Sequence, residues 1–335
     1  PKKNHYQNFL LKKVFDNNNL RNVNYNSVSI NTKTIKKNDL FFAIRGKKTD
    51  GHKFVREAIK KGAIKSIISK KIKQLSKNKI IKVKNTFSSL NDLAKVTRDN
   101  TSAKIIGITG SVGKTTLKNL IGFALKNYGK VYQSPHSYNN KFGVPLSLSN
   151  LKRNTEYGIF EIGMDKKGEI DNLSKIVKPE TAIITNISGA HFKNFNTLKD
   201  IAKAKAEIID NILDGGNIIL NKDDKFFNFL KNKALKKKLK VISFSEKNNA
   251  DIRMIKITRK KSNYLLIIKI NNNIKKFIIK ENLKFYIANI LATIAVISNY
   301  TDVQSLKANF FYNFKIPKGR GDFSKIKLNN KSINI

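Results

Sequence analysis

The 335 residues carry 67 Lys and Arg against 23 Asp and Glu, a formal charge of +44, with 40% hydrophobic residues and no cysteine. That length calls for about two domains and the apolar fraction is ample to fill them, so a disordered chain is excluded, as are disulfides, thiolate catalysis and cysteine-held metals. The start, Pro1-Lys2-Lys3-Asn4-His5, has no apolar signal core, and the longest apolar stretch, 287–297, is well short of the roughly 20 residues a membrane span needs, so the expectation is a cytoplasmic chain without membrane insertion.

In chain order, residues 27–30, 39–44 and 64–68 read as strands and 52–61 as a helix, which makes residues 1–100 a small α/β unit. From Lys104 strands and helices alternate: strand 105–109, helix 114–126, strand 158–162, helix 168–177, strand 181–186, helix 197–212, strand 217–220. Such alternation implies a mostly parallel sheet covered by helices. Two apolar alternations, 264–270 and 276–280, predict an antiparallel hairpin around Asn271-Asn272-Asn273, and a helix over 284–298 closes the unit. After Pro317-Lys318-Gly319-Arg320-Gly321 only one hairpin's worth of residues remains, ending in a strand-like segment at 331–335.

So high a positive charge ordinarily points to nucleic acid or an anionic membrane. Here lysine is spread along the whole chain with asparagine and isoleucine, and runs such as Lys236-Lys237-Lys238 read as solvated faces. The expectation is a compositional bias, with no specific nucleic-acid partner and only weak, salt-sensitive attraction.

The strongest signal is Gly107-Ile108-Thr109-Gly110-Ser111-Val112-Gly113-Lys114-Thr115-Thr116, between a strand and a helix. A strand, a glycine-rich turn and a helix N-terminus aim backbone N–H groups at an anion, while Lys114 reaches the β- and γ-phosphates and Thr115 is placed to ligate Mg²⁺. The first glycine of the general phosphate-loop pattern falls on Ile108, with Gly110 two residues later. In open α/β sheets ligands gather beyond the carboxyl ends of strands. Glu161, late in an otherwise apolar strand, suits a Mg²⁺ ligand, against a simple strand-end ion pair. His191, one of four histidines, follows the small-residue loop Ser188-Gly189-Ala190 and is either a metal ligand or a surface residue. Lys205, in Ala202-Lys203-Ala204-Lys205-Ala206-Glu207, reads by itself as part of an exposed helix.

Together these segments resemble the Mur ligase family of peptidoglycan synthesis, and within it the MurF branch, over nearly the whole chain. The resemblance rests on Thr109 to Thr116, on Tyr138-Asn139-Asn140-Lys141-Phe142-Gly143-Val144-Pro145, on Glu161-Ile162-Gly163-Met164 with Gly168-Glu169-Ile170, and on Asn186-Ile187 through His191 to Ala204-Lys205-Ala206-Glu207-Ile208. It implies an N-terminal UDP-substrate domain (1–100), a central P-loop ATP domain (101–318) and the start of a C-terminal domain (319–335) that is truncated. It also implies an ATP- and Mg²⁺-dependent amide ligase joining D-alanyl-D-alanine to a UDP-N-acetylmuramoyl-tripeptide through an acyl phosphate.

By the same resemblance, Gly110, Ser111, Val112, Gly113, Lys114, Thr115 and Thr116 hold the nucleotide phosphates, Asn289 reads the adenine, and Arg320 at the hinge touches the phosphates. Thr115 and Glu161 ligate one Mg²⁺, His191 and a carbamylated Lys205 a second, and Asn139 and Asn140 meet the substrate. Three departures stand out: Phe285-Tyr286 replaces a usual His-Asn pair, Asn31-Thr32-Lys33 replaces an acidic-Ser/Thr-Arg triplet near the uridine site, and the third domain is missing beyond its first strand or so. The expectation is therefore a monomeric, truncated ligase without ligation activity of its own. The rival readings are a sister Mur ligase, a folylpolyglutamate-type synthetase, or a basic nucleotide-regulated module that binds nucleic acid.

Overall fold

The computed structural model describes residues 3–15, 20, 23–46, 48–189, 194–317, 319, 325–328 and 331–334. The first unit opens with helix α1 (Lys3–Val14) and holds β1 (Val28–Ser29), β2 (Leu40–Phe42), α2 (Val55–Lys60), β3 (Lys65–Ile68), β4 (Ile80–Lys82) and α3 (Thr86–Asp99). Its four strands pair in sequence order and all in parallel. Helix α3 starts where the Asn85 side chain accepts hydrogen bonds from the N–H groups of Phe87 and Ser88, two donors that the first turn cannot satisfy itself.

The second unit runs β5 (Lys104–Thr109), α4 (Lys114–Leu125), β6 (Val131–Gln133), α5 (Gly143–Ser149), β7 (Tyr157–Glu161), α6 (Glu169–Val177), β8 (Thr181–Ile184), α7 (Leu198–Lys205), α8 (Glu207–Asp210), β9 (Asn217–Asn221), α9 (Phe227–Lys236), β10 (Lys240–Ser245), β11 (Ile252–Lys260), β12 (Asn263–Ile270), β13 (Asn273–Lys280) and α10 (Ile287–Ile297). These nine strands form one sheet in the order β13-β12-β11-β10-β9-β8-β5-β7-β6. Pairing is parallel from β6 to β11 and antiparallel from β11 to β13. Residues alternate between its faces: Ile106 and Ile108 join Leu117, Leu120 and Ile290 under α4 and α10, while Ile105 joins Phe160, Ile170 and Ile201 on the other side. Further on, β14 (Lys325–Leu328) and β15 (Lys331–Asn334) pair as an antiparallel hairpin.

The α/β class, the mostly parallel sheet and the 264–280 hairpin are as expected, and three details differ. The hairpin gains a third strand, β11, whose interleaved Arg253, Lys256, Arg259 and Lys260 hide its apolar pattern. The expected strand over 181–186 ends at Ile184. The expected helix over 197–212 is two helices, α7 and α8, parted at Ala206. The break turns the Glu207 carboxylate onto the N-terminus of α6, where it accepts from Gly168 N at 2.8 Å and Asp171 N at 3.1 Å. Helices α1, α3, α5 and α9 and strands β4, β6 and β10 are found only in the structure. No helix among the described residues is long and apolar enough to cross a membrane.

The two units are locked together. Asn150 bonds the Val28 backbone in both directions, accepting from its N–H at 2.8 Å and donating to its carbonyl at 3.0 Å. Arg98 donates to the carbonyls of Val177 and Lys178. Leu146 of α5 is buried with Leu10, Leu90 and Leu93 of the first unit. A cavity of about 1010 Å³ lies between α3 on one side and the 139–142 and 163–176 segments on the other.

Candidate active site

Strand β5 is central, with β8 on one side and β7 on the other, and successive strands fill both sides of it. The carboxyl end of such a strand is where a crevice opens. There the chain turns through Gly110 at φ 144° and Gly113 at φ 85° before entering α4. A Cβ on Gly110 would lie 1.8 Å from the Thr185 hydroxyl oxygen, so only glycine fits. The segment after β8 braces the loop: Thr185 donates to Val112 O at 2.7 Å, Asn186 accepts from Val112 N at 3.0 Å, and the Ser111 hydroxyl bonds both the N–H and the carbonyl of Ser188. The Asp224 carboxylate anchors that segment in turn by accepting from Ile187 N at 2.6 Å.

Lys114 Nζ folds over the loop, donating to Gly110 O at 2.7 Å and Ser111 O at 3.3 Å, and borders the large cavity. The Thr115 hydroxyl donates to Glu161 Oε2 at 2.9 Å, whereas Thr116 turns into the core. Glu161 is 2% exposed at the end of β7. Its other oxygen accepts from Asn139 Nδ2 at 2.8 Å, and Lys118 Nζ stands 3.6 Å from Oε2. Asn139 is held close against Gly163, where a Cβ would come within 2.9 Å of its amide carbon. Asn140 accepts from Phe142 N and Gly143 N just before α5 and also lines the cavity.

Lys205 is 1% exposed, contrary to the exposed helix its segment suggests in isolation. Burial, with the Lys114 charge as the smaller cause, lowers its pKa to about 7. Asn289, near the start of α10, donates to Gly113 O at 3.3 Å and so sits against the loop. The structure thus gathers Gly110 to Thr116, Glu161, Asn139, Lys205 and Asn289 at one sheet edge. His191 and Arg320 lie outside the described residues. Sequence reasoning missed Lys118, Thr185 and Asp224, whose roles depend on contacts across strands that no local pattern encodes.

The arrangement fits a magnesium nucleotide. Gly110 and Gly113 allow the tight loop, since a Cβ on either would press on Thr185 or Asn289, and the paired hydroxyl and buried carboxylate are hard oxygen donors of the kind Mg²⁺ takes alongside phosphate oxygens and water. Among the described residues no three His, Asp or Glu side chains cluster as a metal cage.

Fold and site define a P-loop nucleotide-binding α/β protein with a second domain facing the loop. Residues 108–297 match the Mur ligase middle domain, and residues 24–100 match the family described as Mur ligase family, catalytic domain. The chain is 35% identical over 308 residues to the UDP-N-acetylmuramoyl-tripeptide–D-alanyl-D-alanine ligase of Rickettsia prowazekii (strain Madrid E), covering 91% of this chain and 68% of that one. It is similar to the crystal structure of MurF from Acinetobacter baumannii, with a TM-score of 0.80 and 25% identity over 92% of this chain and 66% of the other. MurF from Thermotoga maritima in complex with ADP is also similar, at a TM-score of 0.76 and 26% identity over 90% and 69%. The chain belongs to the Mur ligase family, in its MurF branch. It spans about two thirds of the length of these relatives.

Proposed function

We propose that this chain carries the UDP-substrate and ATP sites of a ligase that joins D-alanyl-D-alanine to UDP-N-acetylmuramoyl-tripeptide in the cytoplasm. Residues 1–100 form the UDP-substrate domain, residues 101–318 the ATP domain, and residues 319–335 open the C-terminal domain. The observation that carries the reading is that Lys114 belongs to the nucleotide loop and also borders the cavity between the two domains, so nucleotide and second substrate meet at one ammonium.

The chemistry explains the need for that meeting. A carboxylate becomes electrophilic only when phosphorylated: its oxygen attacks the γ-phosphorus, ADP leaves, and the dipeptide amine then attacks the acyl carbon as phosphate departs. Both reactants of the first step are anions, so Lys114 and the loop N–H groups neutralise charge that grows in the transition state. Thr115 and Glu161 would hold Mg²⁺, and His191 with carbamylated Lys205 a second ion; bound there, these ions supply further charge neutralisation. A pKa of about 7 leaves much of the Lys205 amine neutral at physiological pH, the form that adds CO₂. Asn139 orients Glu161 from the cavity side, and Asn289 and Arg320 would contact the nucleotide.

Isothermal calorimetry tests the reading on this chain. Lys114→Ala should weaken ATP binding about tenfold or more, as expected for loss of a charge-assisted phosphate contact. The cavity should prefer UDP-N-acetylmuramoyl-tripeptide to the corresponding dipeptide. Equal ATP affinity with and without Lys114 would sink the assignment.

A further inference from the structure

Lys118 is a buried cation that the proposed chemistry does not use. It lies one turn beyond Lys114 and Thr115 on α4 and is 1% exposed. Burying an ammonium is costly unless charge and hydrogen bonds compensate it. Here its Nζ donates to the carbonyl of His136 and stands 3.6 Å from Glu161 Oε2, the oxygen that also accepts the Thr115 hydroxyl. His136 has φ 45°, a left-handed conformation that a non-glycine residue keeps only when its surroundings hold it.

The segment that Lys118 grips, residues 134–142, runs between two cavities. Ser134 to Ser137 line a cavity of about 560 Å³ beside Thr115, and Asn139 to Phe142 line the 1010 Å³ cavity. Three of its side chains reach the proposed metal ligands: the Ser134 hydroxyl accepts from Glu161 N at 3.3 Å, Ser137 Oγ lies 3.4 Å from Thr115 Oγ1, and Asn139 donates to Glu161 Oε1.

We infer that Lys118 is a positioning residue: it pins the strained 134–142 segment to the phosphate-loop helix and thereby holds Glu161 and Thr115 in the geometry that receives Mg²⁺. The inference rests on the proposed assignment of those two residues to the metal. Groups that orient metal ligands typically carry a factor of about 10 to 100 in metal affinity.

The test compares ADP binding with and without Mg²⁺ in wild type, Lys118→Met and Lys118→Arg, together with amide hydrogen exchange of each. Lys118→Met fills the same space without the ammonium. It should lose about tenfold or more of the Mg²⁺-dependent gain in ADP affinity, leave Mg²⁺-free affinity in place, and speed exchange within 134–142 but not in β5 or α10. Lys118→Arg, which keeps charge and donors, should retain most of the Mg²⁺ gain. Equal losses with and without Mg²⁺, or unchanged exchange in the segment, overturn the inference, and if Lys118→Met does not fold the same comparison on Lys118→Arg against Lys118→Gln decides it. A wild type that shows no Mg²⁺ gain overturns the metal reading instead, and the exchange data then decide separately whether Lys118 pins the segment.

Discussion

Thr115 and Glu161, 46 residues apart in the chain, meet hydroxyl to carboxylate at 2.9 Å, because the loop after β5 and the end of β7 converge at the same sheet edge. Glu161→Gln keeps the shape and removes the charge. It should cut the Mg²⁺-dependent part of ADP affinity by about 10- to 100-fold and leave Mg²⁺-free binding unchanged or slightly stronger. Calorimetry with Mg²⁺ and with EDTA separates the two, and a variant that responds to Mg²⁺ like wild type would remove Glu161 from the site.

The loop shape depends on Gly110. Gly110→Ala would thrust a Cβ to 1.8 Å from the Thr185 oxygen at a φ of 144°, whereas Gly168→Ala, at φ 85°, meets nothing within 4 Å. Backbone strain alone costs about 1–2 kcal/mol. Gly110→Ala should therefore lower the melting temperature more than Gly168→Ala does and also abolish ATP binding. Equal melting temperatures and intact ATP binding would mean that the loop re-forms around the added methyl.

Lys205 gives a pH dependence. Burial and the Lys114 charge lower its pKa in the folded chain from 10.5 to about 7, so between these values the unfolded chain holds a proton that the folded chain has released. Stability contributed by this residue thus rises with pH across that window and falls as pH drops toward 7. Relative to Lys205→Met, the wild type should gain stability from pH 7 to 9 in urea denaturation. Over the same range, ¹³C-bicarbonate should label the Lys205 amine as a carbamate visible by NMR; a label equally present in Lys205→Met would come from another lysine.

The charge of +44 makes some attraction to nucleic acid unavoidable. Because the lysines are spread over the surface, binding to a DNA duplex should be sequence-independent and vanish near a physiological salt of about 0.15 M. Fluorescence anisotropy across a salt series checks this. Tight binding that persists at that salt, with a protected footprint, would favour the rival reading of a nucleotide-regulated binding module.

How much of the site was legible before folding follows from the range of the interactions involved. The phosphate loop could be read because its glycines, Lys114 and Thr115 lie within a few residues of one another and are flanked by an apolar strand and a helix. Glu161 could be read because a carboxylate interrupts an apolar strand near its end. The burial of Lys205 could not: an alternating Ala-Lys helix looks exposed, yet Lys205 ends α7 at 1% exposure. Lys118 is the same case, since one more lysine on a basic chain carries no local mark until the 134–142 segment closes over it.

The sequence by itself therefore determined the class of the fold, the nucleotide loop and the family, all of which are written in short-range periodicity and contiguous motifs. Tertiary structure alone decided which lysines are buried, that Asn139 and Lys118 converge on Glu161, that Thr185 and Asn186 brace the loop, and that Lys114 borders the cavity between the two units. The reason is physical: burial and hydrogen-bond partnership belong to pairs of segments brought together by strand order, and strand order depends on how the whole chain packs its two sheet faces.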